Sequence, residues 1–333
     1  MEEFPYNFYL FFEVTSDNNF CIFKSIEDIF YLVYSYNDEI ISYNLKDMKI
    51  QNKINIKILY YQNRPNERHR NIVKHFLDKE NKRDFLLVCT FPGILIFNFN
   101  TLECLFSLNI DGYTSCLFFD KNKIYCYTQA NLYIDKFIDL KEMKSKEFPS
   151  TRAYFCDSYD DDNKGESYII VGNEHNIKSY IFSSGNIKIY REFSEGIEVP
   201  HKSALMKKEK EITKLFDCGY DGYIRIWNFH TGELLSKILI HNSFRGLGFD
   251  LLDDKYIICG STKGLLEIFD IETKKFIKRL EGYSFLNPSY IKVINIPSVS
   301  QCLIAKCKNT GRIRIIKILK EISKKLNKKI YNL

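Results

Sequence analysis

A short phrase near residue 225 recurs along the chain, and this recurrence limits the possible folds more than any other feature. The clearest copy is Gly222 to Asn228, Gly-Tyr-Ile-Arg-Ile-Trp-Asn, with Asp221 before it and His230-Thr231-Gly232-Glu233 after it. Looser copies begin at Gly93, Gly264 and Gly311. Each copy combines turn residues with alternating apolar and polar positions, which predicts a tight turn, a strand and a second tight turn.

The spacing of these copies predicts a repeat protein. We take the large residue that ends the alternating strand as an anchor. The anchors are Tyr43, Phe97, Ile134, Tyr180, Trp227, Phe269 and Ile316, with spacings of 54, 37, 46, 47, 42 and 47 residues. A four-stranded propeller blade needs about 40–45 residues, so the anchors predict an all-β, seven-bladed β-propeller with four-stranded antiparallel blades. Six or eight blades are the alternatives, because Ile134 and Ile316 are anchors by spacing more than by residue type.

A second short apolar run lies upstream of each anchor, as an inner strand would. The runs are Tyr31–Tyr34, Phe85–Cys89, Ile124–Tyr127, Tyr168–Val171, Lys214–Phe216, Tyr256–Cys259 and Cys302–Ala305. They are rich in β-branched and aromatic residues, which favour buried strands. The segment from Gln62 to Arg70 is predicted as an exposed loop and Ile72 to Asp78 as a turn or two of helix.

The anchor pairs and the turn residues resemble those of WD-repeat proteins. The pairs, which correspond to that family's Trp-Asp, are Tyr43-Asn44, Phe97-Asn98, Ile134-Asp135, Tyr180-Ile181, Trp227-Asn228, Phe269-Asp270 and Ile316-Lys317. The resemblance implies a hydrogen-bonded set of His, Asp and Trp within a blade, carried here by His201, Asp221 and Trp227. It also implies a scaffold whose rim residues bind other proteins or peptides. The candidate rim residues are Asp38, His175, Asp221 and Lys263.

The N-terminal segment is predicted to be a strand of the propeller, and the C-terminal segment is predicted to be a basic tail. We expect a strand at about residues 4–14 to supply the missing outer strand of the last blade and so close the ring, which leaves no free sheet edge there. The predicted propeller covers residues 1–318 and a basic tail covers 319–333. From Lys317 to Leu333 the chain has six lysines against Glu321, a net +5 of the chain's +6. Ile318, Ile322, Leu326 and Ile330 recur every four residues, which is the pattern of a basic amphipathic helix.

The basic tail leaves a second function open. It could fold back on the propeller, remain solvated, or contact an anionic membrane, nucleic acid or a helix-binding partner. Phe244-Arg245-Gly246 resembles part of the Phe-Arg-Arg-Gly stretch of phosphoinositide-binding propellers, with one arginine instead of two. A peripheral membrane module is therefore the alternative to the scaffold, and nucleic acid is the less favoured partner. Its candidate anionic-lipid contacts are Arg245, Lys324, Lys325, Lys328 and Lys329.

Motifs for catalysis, metals or cofactors are weak, and we predict none of the three. The six histidines show no metal-binding spacing, and there is no nucleophile elbow or Gly-rich phosphate loop. The acidic run from Asp157 to Glu166 lacks the glycine and the terminal glutamate of a calcium loop. The ten cysteines include no Cys-x-x-Cys pair, and the N-terminal apolar run is too short for a signal or a membrane span. These features predict buried thiols in a cytoplasmic, monomeric domain that works within a complex.

Overall fold

A computed structural model describes most of the chain. The residues it does not describe are 1–3, 17–19, 38, 56–71, 79–81, 91–92, 110–112, 121–122, 131–132, 140–143, 162–163, 184–185, 197–198, 241–247, 262–263, 281–287, 297–298, 308–309 and 321–333. The predicted loop from Gln62 to Arg70 lies outside the described residues.

The described strands form seven sheets of four antiparallel strands each, which is the architecture of a β-propeller with four-stranded blades. Sheet 1 contains β2 (Phe20–Lys24), β3 (Phe30–Tyr36), β4 (Glu39–Asn44) and β5 (Lys49–Asn55). Sheet 2 contains β6 (Ile72–Asp78), β7 (Arg83–Thr90), β8 (Gly93–Asn98) and β9 (Cys104–Asn109). Sheet 3 contains β10 (Tyr113–Asp120), β11 (Lys123–Ala130), β12 (Tyr133–Asp139) and β13 (Lys144–Arg152). Sheet 4 contains β14 (Phe155–Asp161), β15 (Glu166–Gly172), β16 (Ile177–Ser183) and β17 (Asn186–Phe193).

The remaining sheets come from the C-terminal part of the chain and from its first strand. Sheet 5 contains β18 (His201–Glu209), β19 (Ile212–Gly219), β20 (Tyr223–Asn228) and β21 (Leu234–Leu239). Sheet 6 contains β22 (Phe249–Leu252), β23 (Tyr256–Gly260), β24 (Leu266–Asp270) and β25 (Phe276–Leu280). Sheet 7 contains β26 (Pro288–Ile296), β27 (Ser300–Cys307), β28 (Arg312–Lys320) and β1 (Tyr6–Thr15).

The anchor residues and the apolar runs upstream of them lie in the same strands of every sheet. Every anchor lies in the third strand of its sheet, and every upstream apolar run lies in the second strand. In sheet 6 the side chains of both strands are buried on both faces, from Tyr256 to Gly260 and from Leu266 to Asp270. Strands that are covered on both faces read as continuous apolar runs, which is why the runs were visible in the sequence.

A β-bulge accompanies the anchor wherever the third strand meets the fourth. The register breaks between Ser42 and Tyr43, Ile96 and Phe97, Ile134 and Lys136, Ser179 and Tyr180, Ile226 and Trp227, and Ile268 and Phe269. In sheet 7 the break lies between Leu10 and Phe12, opposite Ile316 and Ile315. A bulge bends a strand and increases its twist, so the anchor marks the same local bend in each described sheet.

The residue after the anchor stabilises the following turn. In sheet 5, Asn228 Oδ1 accepts backbone hydrogen bonds from His230 at 3.1 Å and Thr231 at 3.2 Å. Asn44, Asn98 and Asp270 make the corresponding bonds in sheets 1, 2 and 6. Asn and Asp suit this place because their short side chains accept hydrogen bonds from the backbone of a turn.

The N-terminal strand is the fourth strand of sheet 7. β1 pairs with β28 from Tyr6 opposite Lys320 to Thr15 opposite Arg312. Tyr6 is buried, and its hydroxyl donates a hydrogen bond to Asp253. Phe4 packs edge-on against Tyr256 with ring centroids 5.1 Å apart. The beginning of the chain is thus attached to sheet 7 by backbone pairing and to the core by aromatic contacts.

The chain divides into two compact units. One consists of Met1–Thr15 and Leu247–Leu333, and it contains sheets 6 and 7 around a core that includes Tyr256, Leu303 and Ile316. The other is Ser16–Gly246, and it contains sheets 1 to 5. Its described cores include one around Phe97 and one around Trp227.

Two local expectations differ from the structure. Ile72 to Asp78, predicted as helical, is strand β6, because pairing with β7 from Ile72 opposite Cys89 to Asp78 opposite Arg83 outweighs a weak local preference. Leu319 and Lys320, placed in the tail, belong to β28, where they pair with Asn7 and Tyr6. The rest of the predicted amphipathic tail lies outside the described residues.

Four of the described cysteines lie in the core as free thiols. They are Cys218, Cys259, Cys302 and Cys307. Burial raises the pKa of the Cys302 thiol to about 11, with a smaller opposing effect from its hydrogen bond to Ser300.

Within the described ranges, no helix is long and apolar enough to cross a membrane.

Candidate functional site

All four predicted rim residues fall between the second and third strands of their sheets. Asp221 lies between β19 and β20, and His175 lies between β15 and β16. Asp38 lies between β3 and β4, and Lys263 lies between β23 and β24, but both are outside the described residues. The described part of this candidate site therefore consists of the second turns of sheets 4 and 5.

The turn of sheet 4 is fixed by two asparagines. Asn173 Oδ1 accepts backbone hydrogen bonds from His175 at 2.8 Å and Asn176 at 2.9 Å. The Asn173 side chain donates to Asn176 Oδ1 at 2.5 Å. His175 is exposed on this turn. The backbone beneath the imidazole is thus held by side chains that are themselves buried.

The turn of sheet 5 requires a glycine. Gly222 has a φ of 84°, a left-handed conformation that side chains disfavour. Its N–H donates to Gly219 O at 3.3 Å, and Asp221 Oδ1 accepts the Tyr223 N–H at 3.3 Å. Tyr220 is 37% exposed at the tip. This turn presents an aromatic ring beside a carboxylate.

Beneath the sheet 5 turn lies a charged network centred on Arg225. Arg225 is only 2% exposed. Its Nε donates to Glu195 Oε2 at 2.6 Å, and its Nη1 donates to Asp221 Oδ1 at 3.2 Å. Lys237 Nζ donates to the same Glu195 oxygen at 2.7 Å and lies 4.3 Å from the centre of the Tyr223 ring. We call Glu195, Asp221, Tyr223, Arg225 and Lys237 the Arg225 network.

The network keeps its two carboxylates ionised. Burial by itself raises the pKa of Glu195 and of Asp221, because water stabilises the charged form. The hydrogen bonds and charges of Arg225 and Lys237 outweigh burial, so both pKa values are lowered. Asp221 is therefore an anion held in one orientation by the strand that follows its own turn.

The three residues predicted as a blade hydrogen-bonding set each have a different environment. His201 Nδ1 is hydrogen-bonded to Asp217 Oδ1 at 2.7 Å, and both residues are buried. Asp221 binds Arg225 instead. The Trp227 indole is buried against Phe193, with centroids 5.9 Å apart, and Nε1 has no hydrogen-bond partner among the described residues.

The structure gives a physical reason for this difference. Asp217 lies in β19 directly opposite Arg225 in β20, so a carboxylate is already present in the sheet beside His201. Arg225 in turn holds Asp221 at the turn. Asp217, in strand β19, therefore makes the hydrogen bond to His201 that we assigned to Asp221 in the turn.

Sequence reasoning missed the charged position two residues before the anchor. Besides Arg225, this position holds Lys178, Glu267 and Arg314. The ion-pair partners of these residues lie on the fourth strands. Lys178 Nζ is 3.9 Å from Glu192 Oε2, and Glu267 Oε1 is 2.7 Å from Arg279 Nη2. Arg314 pairs with Glu13. A charged residue within an alternating apolar strand was the sequence signal that could have revealed this position. The partner of Arg225 could not be predicted from the sequence, because Glu195 lies 30 residues earlier.

In the acidic run, Asp157 to Asp161 belong to β14 and Glu166 begins β15, where it pairs opposite Asp161. Asp161 Oδ2 lies 3.5 Å from His230 Nε2 of sheet 5. In the part of the chain that the structure describes, no three His, Cys, Asp or Glu side chains are grouped as metal ligands would be. Arg245 and the four tail lysines, Lys324, Lys325, Lys328 and Lys329, lie outside that part.

Comparison with protein-family models gives no match, and comparison with curated protein sequences gives none either. The fold and the side-chain geometry thus carry the functional argument.

Proposed function

We propose that this chain is a non-enzymatic scaffold that binds other proteins or peptides through one rim of a WD-repeat-like propeller. The proposal includes seven blades in a ring that β1 closes, with the protein acting as a monomeric cytoplasmic domain within a complex. It is supported by seven anchors in the third strands of the described sheets and by the pairing of β1 with β28.

The Arg225 network is the observation that carries the proposal. A binding surface gains affinity when its groups are already ordered before the partner arrives. Asp221 is held by Arg225, and His175 is presented by the asparagine turn. Both side chains stand on turns at the same position in their sheets, which fits a rim that presents fixed contacts.

Affinity capture of the tagged full-length chain from its native cells tests this function. Since Asp221 also stabilises sheet 5, the better rim variant combines His175→Ala with Tyr220→Ala. A matched control combines Lys46→Ala with Asn100→Ala, two exposed residues in turns between third and fourth strands. We expect specific partners to be lost with the rim variant and retained with the control.

Equal recovery of all partners with both variants, while both remain folded, would place the binding surface elsewhere. Loss with both variants alike would contradict a rim that is confined to the second turns. The folding of each variant is checked by its unfolding midpoint.

A further inference from the structure

The outer strand of sheet 6 and the turn before it expose a run of consecutive side chains. Residues Lys274 to Arg279, here called the β25 ridge, are all exposed. Phe276 is 50% exposed and Ile277 is 37% exposed. Lys274, Lys275, Lys278 and Arg279 surround these two apolar side chains. The ridge thus combines positive charge with apolar surface at consecutive positions.

The charge of the ridge is only partly neutralised. Arg279 binds the buried Glu267 at 2.7 Å. Within the described residues, Lys274 and Lys275 take part in no ion pair, and Lys278 Nζ lies 5.8 Å from the centre of the Phe4 ring. Glu272 is the one acidic residue between Ile271 and Leu280. Three lysines are therefore available to attract an anionic surface.

Further lysines and aromatic rings lie in the same compact unit as the ridge. Phe4 packs on Tyr256, and Lys255 Nζ lies 5.4 Å from the Tyr256 ring centre. Lys320 is exposed near Tyr6, with Nζ 5.6 Å from that ring centre and 3.5 Å from Asp253 Oδ2. Asp253 thus offsets the charge of Lys320, and among the described residues the unpaired positive charge of this part of the unit is that of the ridge lysines.

We propose that the β25 ridge binds the surface of an anionic lipid membrane. Lysines near such a surface are attracted by its negative potential, and exposed Phe and Ile side chains gain free energy by entering the boundary between headgroups and acyl chains. The site is independent of the proposed scaffold function. It also differs from Arg245 and from the tail lysines that the sequence indicates.

A membrane fits the ridge better than an added peptide strand does. Strand addition needs a regular free edge, but the register breaks between Ile268 and Phe269, where Ile277 is the extra residue opposite them. Bulges and lysines are features that hinder edge pairing. Contact with a lipid surface uses side chains alone, so neither feature opposes it.

Co-sedimentation of the full-length chain with phosphatidylcholine vesicles, with and without phosphatidylserine, tests the proposal. We expect binding only to the anionic vesicles, weakening as salt increases. Replacing Lys274, Lys275 and Lys278 together with Gln should reduce partitioning about a hundredfold, since each lysine near such a surface is worth about fivefold. Ile277→Ser should also reduce it.

The matched control changes the outer strand of sheet 1. Lys49→Gln, Ile50→Ser and Lys53→Gln alter the same kinds of exposed side chain on β5, and binding should stay at the wild-type level. Deletion of residues 321–333 separates the ridge from the tail. Binding that persists after this deletion and is lost in the lysine variant supports the ridge.

Three results would overturn the proposal. They are failure of the wild-type chain to sediment with anionic vesicles, binding by the lysine variant at the wild-type level, and a loss of binding in the β5 control as large as that in the ridge variant. An unchanged unfolding midpoint for the lysine variant shows that a loss of binding is not a loss of folding.

Discussion

Glu195 accepts a hydrogen bond from the buried guanidinium of Arg225 at 2.6 Å, although Glu195 lies in the connection between β17 and β18 and Arg225 lies 30 positions later in β20. Asp221, four residues before Arg225, binds the same guanidinium. The positive charge of Arg225 is thus matched by two carboxylates. This relationship orders the turn that we propose as part of the binding rim.

Arg225→Ala should destabilise the protein strongly. It leaves Asp221 and Glu195 without their main cation, and breaking a buried ion pair by removing one partner costs about 3–5 kcal/mol. Denaturant unfolding measures the change. Lys53→Ala is the control, because its pair with Glu39 is half-exposed and is worth about 1 kcal/mol or less. Equal effects of the two substitutions would contradict this account.

The Arg225 network should make stability depend on pH in acid. The pKa values of Asp221 and Glu195 are lowered in the folded state, so their contribution is complete above the ordinary carboxyl pKa of about 4. It is lost as pH falls from there through the folded values. The free energy of unfolding should therefore decrease less steeply in acid for Asp221→Asn than for wild type. Parallel pH curves would argue against the assignment.

Tyr6 should be essential for attachment of the first strand. Tyr6→Ala removes a buried ring from the core of its unit and should cost about 3–5 kcal/mol. Tyr6→Phe keeps the ring and loses only the hydrogen bond to the Asp253 carboxylate, so about 1.5–3 kcal/mol is expected. Tyr9→Ala, at a position that is 53% exposed, is the control. Deletion of residues 1–15 should destabilise the protein further, and a deletion mutant with an unchanged melting temperature would refute the role of β1.

Asn228 should stabilise its turn through one side-chain oxygen. Asn228→Ala removes the acceptor for two backbone N–H groups and should cost about 1 kcal/mol, as loss of comparable caps does. Asn228→Asp keeps an acceptor and should be close to neutral. Asn100 is exposed in the corresponding turn of sheet 2, where the side chain of Asn98 supplies the acceptor, so Asn100→Ala is the control. If Asn228→Asp were as harmful as Asn228→Ala, the turn would depend on something other than this acceptor.

The sequence by itself determined the repeat and its phase. Alternating apolar runs, turn residues and regular anchors are local signals, because a strand buried on both faces needs them at each repeat. They placed all seven anchors in third strands and identified the N-terminal segment as a strand. The helix predicted at Ile72 to Asp78 failed, since strand pairing with β7 is a long-range interaction that local preference does not report.

Only the tertiary structure decided which charges meet. His201 was assigned to Asp221 from the family pattern, yet it binds Asp217, because Arg225 lies opposite Asp217 and holds Asp221 itself. The exposure of Lys274 to Arg279 was equally unpredicted, since the sequence does not state which remote segments cover a strand. Ion pairs and exposed surfaces depend on distances between segments that are remote in the chain, and those distances arise only when the sheets have formed.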